Sequence, residues 1–417
     1  MARVIVLSMH TSPLEQPGKG DGGGMNVYVR ELSAALARAG ATCEVFTRAS
    51  SIGLPASVEV EPGFRLHHVV AGPQSTVEKG RLHELVGPFA DGVAEVVARF
   101  GAGDGLPSAI HANYWLSGLA GQVLKRQFGL PLVSTFHTLD RVKAESGPEE
   151  TDPAEPERRA RAEAEVIGCS DAVLASCDVE VDQLVELYGA DRDRVEIVAP
   201  GVDHAFFSPG NRRQAKRAIG EDPDGQLLLF VGRIQPLKGA DIALSTLAEI
   251  ASRRPPGLRL LIVGGPSGPR GDEEVDALHR FAASLGLGDR VGFLPPQRHE
   301  LLSTFYRAAD CCIVPSRSES FGLVALEAAA CGTPVVASAV GGLTSIVEDG
   351  ATGYLVEGRD VAGFADRVEM ILSEGALARR LGDAASERAR GYTWSTAASR
   401  LLAVYEELGA RSLVECG

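Results

Sequence analysis

From end to end, short apolar runs alternate with stretches whose apolar residues recur every three or four positions. In the first half the runs are RVIVLSM (3–9), CEVFTR (43–48), LHHVVA (66–71), AIHA (109–112), LVSTF (132–136), AVLAS (172–176) and VEIVAP (195–200). Each has the length of a strand and is bounded by turn-forming or charged residues. Between them, helical spacing covers 25–39, 81–100, 116–128, 156–167 and 179–188. The second half repeats the scheme, with strands predicted at 227–232, 258–264, 290–294, 311–316 and 334–338. Its helices are predicted at 242–253, 273–285, 300–308, 322–330 and 361–373. Near-continuous apolar strands separated by amphipathic helices predict parallel sheets covered on both faces.

The fold class is therefore α/β, as two doubly wound, Rossmann-like domains facing across a cleft. A chain of 417 residues is too long for one core, which agrees. PGVDHAFFSPGN (200–211) is the natural hinge. It divides an N-terminal domain, 1–200, from a C-terminal domain, 201–392, with the terminal helix and tail, 393–417, joined to the first. The acidic, Pro-rich segment 146–157 reads as a mobile loop. In such sheets ligands bind outside the carboxyl ends of the strands, so motifs placed there carry the functional argument.

Charge narrows the ligand classes. A net charge of −14 argues against nucleic acid and anionic membranes as partners, so anionic ligands must be held by local cations and backbone amides. Aromatic residues make up only 6%, too few for base-stacking platforms. None of the seven Cys stands in a zinc-type spacing, and Cys169, Cys311, Cys312 and Cys331, in or beside apolar runs, are expected as buried reduced thiols. MARVIVLSMH reads as a first strand rather than a secretion signal, and no apolar run is long enough to span a membrane. A cytoplasmic location is the expectation.

Four motifs stand at predicted strand ends. GKGDGG (18–23) matches a dinucleotide fingerprint only formally, since the loop before it is too long and Arg48 ends the second strand where an acid is expected. Gly22–Gly24 would still let a phosphate or sugar approach the backbone at a helix N-terminus, with Asn26 as a polar probe; a merely flexible loop is the alternative. GRIQPLKG (232–239) puts Arg233 and Lys238 where a diphosphate would sit, against the alternative of a solvated pair. PSRSESFGLVALEA (315–328) puts Glu319 in a loop and Glu327 two turns into an apolar helix. Two ribose hydroxyls would supply the partners that such a helical acid needs. An N-terminal helix charge with a solvated Glu is the alternative, and no companion ligands in phase suggest a metal. TFHTLDRVK (135–143) puts His137 and Thr138 after a strand, although a structural, backbone-bonded His is the competing reading.

Taken together, these motifs resemble the retaining, nucleotide-sugar-dependent glycosyltransferases built from two Rossmann-like domains (GT-B, family 4 type). PSRSESFGLVALEA is similar to their E-x7-E element, GRIQPLKG to their diphosphate loop and APGVD to their interdomain hinge. In the first half SMHTSPLEQPGKGDGGGMNVYV, AGPQSTVEKGRLHEL, HANYWLSG and FHTLDRVK, and in the second GGPSGP, resemble the mycothiol-pathway branch. That branch moves N-acetylglucosamine from its UDP donor to 1L-myo-inositol 1-phosphate. The resemblance implies a UDP-sugar donor, no cofactor and no metal, a small phosphorylated polyol or sugar as acceptor, and a possible homodimer.

The resemblance also implies residue roles. Arg233 and Lys238 would hold the diphosphate, Glu327 the ribose, and Glu319 with Phe321, Gly322, Leu323 and Gly24 the rest of the donor. His137 would contact the transferred sugar near its C6 hydroxyl and, with Glu319, Arg233 and Lys238, form the catalytic set. Lys79, Tyr114, Thr138 and Arg158 would grip the acceptor phosphate, with His10, Thr11 and Asn26 beside the inositol ring. Departures fall on the acceptor side: Ala112 and Asn113 stand for the expected Ser-His, Ala144 for an Asn, and the turn before Lys79 lacks Tyr-Glu-Gly. An acceptor such as another sugar phosphate, as in sucrose-phosphate synthesis, or a small polar metabolite therefore stays open. So do a phosphorylase or epimerase on the same scaffold, a non-catalytic binder, and same-face return of the acceptor proton or a short-lived ion pair.

Overall fold

The computed structural model describes residues 2–18, 20, 22–100, 107–145, 147, 157–253, 257–268 and 271–416. Nearly all of the predicted loop at 146–157 lies outside the described residues. The chain forms two compact units: one comprises 1–15, 25–200 and 394–417, the other 16–24 and 201–393. The short segment Gln16–Gly24 thus groups with the second unit, although it lies within the first two hundred residues.

In the first unit the order is β1 (Arg3–Leu7), α1 (Gly24–Arg38), β2 (Thr42–Arg48), β3 (Ser57–Glu61), β4 (Phe64–Val69), a 3-10 helix (Lys79–Leu85) and α2 (Val86–Val97). Then come β5 (Ala109–Asn113), α3 (Trp115–Phe128), β6 (Leu132–Thr135), α4 (Asp140–Glu145), α5 (Arg158–Cys169), β7 (Ala172–Ala175), α6 (Asp178–Tyr188) and β8 (Val195–Ile197). Its eight-stranded sheet runs β3-β4-β2-β1-β5-β6-β7-β8, parallel except for the β3–β4 pair. The strand order reverses direction between β1 and β5, which marks the ligand end of such a sheet. Ile5, Leu7, Phe46, Ile110 and Leu132 come from the strands, and Phe89, Leu116 and Val166 from the helices, to form one buried core. Burying a side chain such as Phe46 contributes about 1.5–3 kcal/mol.

The second unit has α7 (Arg212–Ala218), β9 (Gln226–Val231), α8 (Ala240–Arg253), β10 (Leu258–Val263), α9 (Gly271–Ser284), β11 (Val291–Leu294), α10 (His299–Ala308) and β12 (Cys311–Val314). It continues with α11 (Leu323–Ala330), β13 (Val335–Ser338), α12 (Leu343–Ile346), β14 (Gly353–Val356), α13 (Val361–Ser373) and α14 (Gly375–Ala389). Its sheet is β11-β10-β9-β12-β13-β14, with its own reversal between β9 and β12. Phe230, Leu244, Ile262, Ile313, Phe364 and Leu381 lie in its core. The last helix, α15 (Trp394–Gly409), belongs to the first unit, where the Tyr405 hydroxyl meets Nδ1 of His111 at 2.9 Å.

Several details depart from the sequence reading. The strands β3 and β14 and the helices α4, α7, α12 and α14 were not predicted. The single helix expected at 81–100 is a 3-10 helix followed by α2. Cys169 is not a reduced thiol: it forms a disulfide with Cys416, their Cα atoms 4.7 Å apart across a separation of 247 residues. The tail reaches Cys169 because Val414 N–H donates to Asp171 at 2.7 Å, and Asp171 in turn pairs with buried Lys125 at 2.6 Å. Cys311, Cys312 and Cys331 are buried and free.

Candidate active site

In the second unit, the loops after β9 and β12 meet at the carboxyl edge of the sheet. Lys238 closes a 3-10 turn (Pro236–Lys238) and donates to Oε2 of Glu319 at 2.6 Å, with both side chains about a fifth exposed. The Ser316 hydroxyl donates to the same oxygen at 3.4 Å. Arg233 donates to the Ser267 hydroxyl at 3.2 Å, and a Cβ on Gly23 would stand 3.2 Å from its Nε. The Gly-rich segment therefore lies against the guanidinium with no side chain between them. A Cβ on Gly24 would likewise meet Leu323 at 3.4 Å. Two cations, a carboxylate and open backbone at one sheet edge form an arrangement suited to a sugar diphosphate.

Helix α11 starts immediately after this loop. Its N-cap, Gly322, has φ 103°, a conformation that a side chain would oppose. Phe321 is buried against Tyr392 at 5.9 Å between ring centroids. The Glu319 carbonyl accepts from Gly342 N–H at 2.9 Å, and a Cβ on Gly341 would approach that oxygen to 2.0 Å. Gly341 and Gly342 therefore set the height of the Glu319 loop. Glu327 is 5% exposed, and the protein already satisfies it: Nε2 of His299 meets one oxygen at 2.7 Å and Tyr306 donates to the other at 2.8 Å. Its burial does not by itself demand ribose hydroxyls, because α10 supplies both partners.

In the first unit, the carboxyl ends of β1, β5 and β6 gather the other set. Tyr114, buried after β5, lies 4.4 Å from the His10 ring. The Lys79 ammonium stands 5.8 Å from the Tyr114 ring centre and the Arg159 guanidinium 4.9 Å. Arg159 donates to the Thr138 carbonyl at 2.6 Å and hydroxyl at 3.0 Å, and through Nε to buried Glu163 at 2.7 Å. Burial pushes the Tyr114 phenol up, but Arg159 and Lys79 outweigh it and the pKa ends below the usual tyrosine value. This pocket of positive potential is the strongest in the first unit.

Arg158 is not part of it. At the first position of α5 it is exposed and donates to the His83 ring at 2.6 Å, so the helical turn carries its neighbour Arg159 to Tyr114 and Thr138. Asn26 is 1% exposed and donates to the Thr11 hydroxyl at 2.7 Å and the Ser12 carbonyl at 2.6 Å, clamping the loop after β1. His137 follows β6 with φ 62° and meets Tyr28 edge-on at 4.7 Å. Burial, and then His111, hold its pKa down to about 3, so the ring is neutral.

The sequence reading missed Arg159, Glu163, Asn113, His299, Tyr306 and the Gly341–Gly342 pair. An Arg-Arg pair carries no signal of which member faces inward, and Glu163 four residues after Arg159 was the one available cue. Among the described residues, no group of three or more His, Cys, Asp or Glu is placed to hold a metal ion, and no helix is long and apolar enough to cross a membrane.

Comparison with known proteins agrees with this arrangement. The family description "Glycosyl transferases group 1" matches residues 211–388, and "Glycosyl transferase 4-like domain" matches residues 23–201. The chain is 48% identical to the D-inositol 3-phosphate glycosyltransferase of Actinosynnema mirum, over 97% of both chains. It is 46% identical to the protein of that name from Mycolicibacterium smegmatis, over 97% of this chain and 90% of the relative. A solved sucrose-phosphate synthase from Thermosynechococcus elongatus superposes with TM-score 0.90 at 33% identity, covering 98% of this chain and 100% of that one. The chain is a nucleotide-sugar-dependent glycosyltransferase of the GT-B fold and belongs to the D-inositol 3-phosphate glycosyltransferase family.

Proposed function

We propose that this enzyme transfers N-acetylglucosamine from UDP-N-acetylglucosamine to 1L-myo-inositol 1-phosphate, which is the same compound as D-inositol 3-phosphate, with retention at the anomeric carbon. The observation that carries the acceptor is the Tyr114–Arg159–Thr138–Lys79 cluster. It offers two cations, a phenol and a hydroxyl at strand ends, the chemistry of a phosphate dianion site. The names of the full-length relatives support inositol phosphate as the molecule that carries this phosphate.

In this reading Arg233, Lys238 and the backbone N–H groups at the start of α11 stabilise the UDP diphosphate as the glycosidic bond to it breaks. Each such donor contributes on the order of 2.7–4 kcal/mol to the transition state. The ion pair with Glu319 fixes Lys238 beforehand, and Glu319 then binds hydroxyls of the departing sugar. Glu327, oriented by His299 and Tyr306, takes the ribose. No bound metal is required for the leaving-group charge, because these cations carry that role. His137, being neutral, can accept a sugar hydroxyl.

The high structural similarity to a sucrose-phosphate synthase favours a second reading, transfer to a sugar phosphate through the same phosphate cluster. UDP release in EDTA with inositol 1-phosphate, free inositol, fructose 6-phosphate and glucose 6-phosphate separates the two. Release with inositol 1-phosphate alone supports the first reading, release with a hexose phosphate supports the second, and release with free inositol removes the phosphate cluster from the account.

A further inference from the structure

Asn113 ends β5 and is 1% exposed. Its register partner on β6 is Thr135, and the Tyr114 N–H donates to the Thr135 carbonyl at 2.7 Å. Just beyond this pair, both strands end in non-glycine residues of left-handed backbone, Tyr114 at φ 77° and His137 at φ 62°. Such residues are uncommon and persist where the surroundings hold them. One of the holding contacts is side chain to side chain: Nε2 of His137 lies 2.9 Å from Oδ1 of Asn113.

That contact has a direction. A carboxamide oxygen can only accept, so Nε2 carries the proton. A neutral imidazole has one N–H, so Nδ1 must present its lone pair. The ring is held on its other side by Tyr28, edge-on at 4.7 Å. We propose that Asn113 is a positioning residue that locks His137 as the Nε2–H tautomer and thereby makes Nδ1 the acceptor of a hydroxyl on the transferred sugar. This rests on the role given to His137 in the proposed function. An imidazole of the other tautomer, or an imidazolium, would present a proton to that hydroxyl instead, and the hydroxyl would have to turn its own proton elsewhere.

The groups that face His137 from the packed elements are Tyr28 on α1 and His111 on β5. Glu180 of α6 stands behind Tyr28, and Tyr405 of α15 stands behind His111. Burial raises Tyr28 and lowers His111, so both stay neutral through the working range. A carboxylate in place of the carboxamide of Asn113 is therefore the cleanest perturbation: it keeps the acceptor oxygen and the shape, and adds a charge that favours the imidazolium.

The test uses the full-length protein with 15N-labelled histidine, His137→Gln assigning the resonance, and wild type, Asn113→Asp and Asn113→Ala compared by imidazole NMR and by steady-state transfer. His111 resonances report whether each variant keeps its fold. We expect wild-type His137 as a single Nε2–H tautomer whose shifts do not move between pH 6 and 9. In Asn113→Asp its pKa rises, and kcat gains a limb that falls towards acid and is absent from wild type. In Asn113→Ala the tautomer mixes and kcat falls about tenfold with acceptor KM unchanged, the scale of one hydrogen bond. A pure Nε2–H signal retained in Asn113→Ala overturns the proposal, and so does an Asn113→Asp profile without the acid limb. Loss of the tautomer with unchanged kcat also overturns it while leaving the proposed function standing. A wild type that transfers nothing to inositol phosphate overturns the proposed function instead, and the NMR comparison still decides whether Asn113 sets the tautomer.

Discussion

Two adjacent arginines give opposite expectations. Arg159 is 13% exposed and makes three hydrogen bonds of 2.6–3.0 Å to Thr138 and Glu163 while its guanidinium lies over Tyr114. A phosphate resting on Tyr114 and Thr138 meets this fork. A hydrogen bond to a charged group is worth about 1.5–3 kcal/mol, or roughly 10–150-fold in acceptor affinity. Arg159→Ala is a poor probe, because it strips a fully buried Glu163 of its cation, at a cost of about 3–5 kcal/mol in folding. Arg159→Lys keeps the charge and loses the fork. We expect it to raise the acceptor KM by about tenfold or more, with donor KM changed less than about twofold. Arg158→Ala touches an exposed side chain bonded to His83, where substitutions shift stability by roughly half a kcal/mol at most, and should leave both KM values near wild type. Initial rates with each substrate varied in turn provide the assay. A tenfold rise of acceptor KM in Arg158→Ala, with none in Arg159→Lys, would refute the assignment of the phosphate to Arg159.

Lys238→Ala should lower kcat by about 10²–10³ with a folded, thermally stable protein, because the pair with Glu319 is partly exposed and contributes little to stability; near wild-type turnover contradicts the diphosphate role. Glu327→Gln sets an amide N–H against either His299 or Tyr306, so UDP affinity by calorimetry should weaken and stability fall by about 1–3 kcal/mol; unchanged UDP affinity removes Glu327 from the nucleotide site. His111 is buried neutral with its pKa lowered to about 3 by desolvation, below the ordinary value of 6.5. The unfolded state therefore binds the proton first, and stability falls as pH drops from about 6.5 towards 3. At pH 5 this amounts to about 2 kcal/mol, a loss that urea titrations should show for wild type and not for His111→Gln.

The sheets were legible because their strands are buried on both faces and read as continuous apolar runs. Where that condition fails, the reading fails. Residues 57–61, SVEVE, form the antiparallel edge strand β3, half-exposed along its length, and their alternation with Glu hid them. Strand β14 is only GYLV, too short for a periodicity to register. The donor motifs survived because they are local: Arg233, Lys238 and Glu319 stand in loops that the strand pattern positions. The acceptor cluster is assembled from three strand ends and α5, and the phase of a helix at its first turn cannot be read from Arg-Arg alone. Likewise the partners of Glu327 come from α10, and the Cys169–Cys416 link joins residues 247 apart; neither is a property of any window of sequence.

The central claim is a single chemical event, and NMR of the product reads it directly. Purified protein would be mixed with UDP-N-acetylglucosamine labelled with 13C at the anomeric carbon and with 1L-myo-inositol 1-phosphate, in EDTA. The account predicts one new anomeric signal of α configuration, coupled to inositol and growing in step with UDP release. A β signal would contradict retention. UDP-N-acetylglucosamine that binds and is never transferred to inositol phosphate would contradict the account itself.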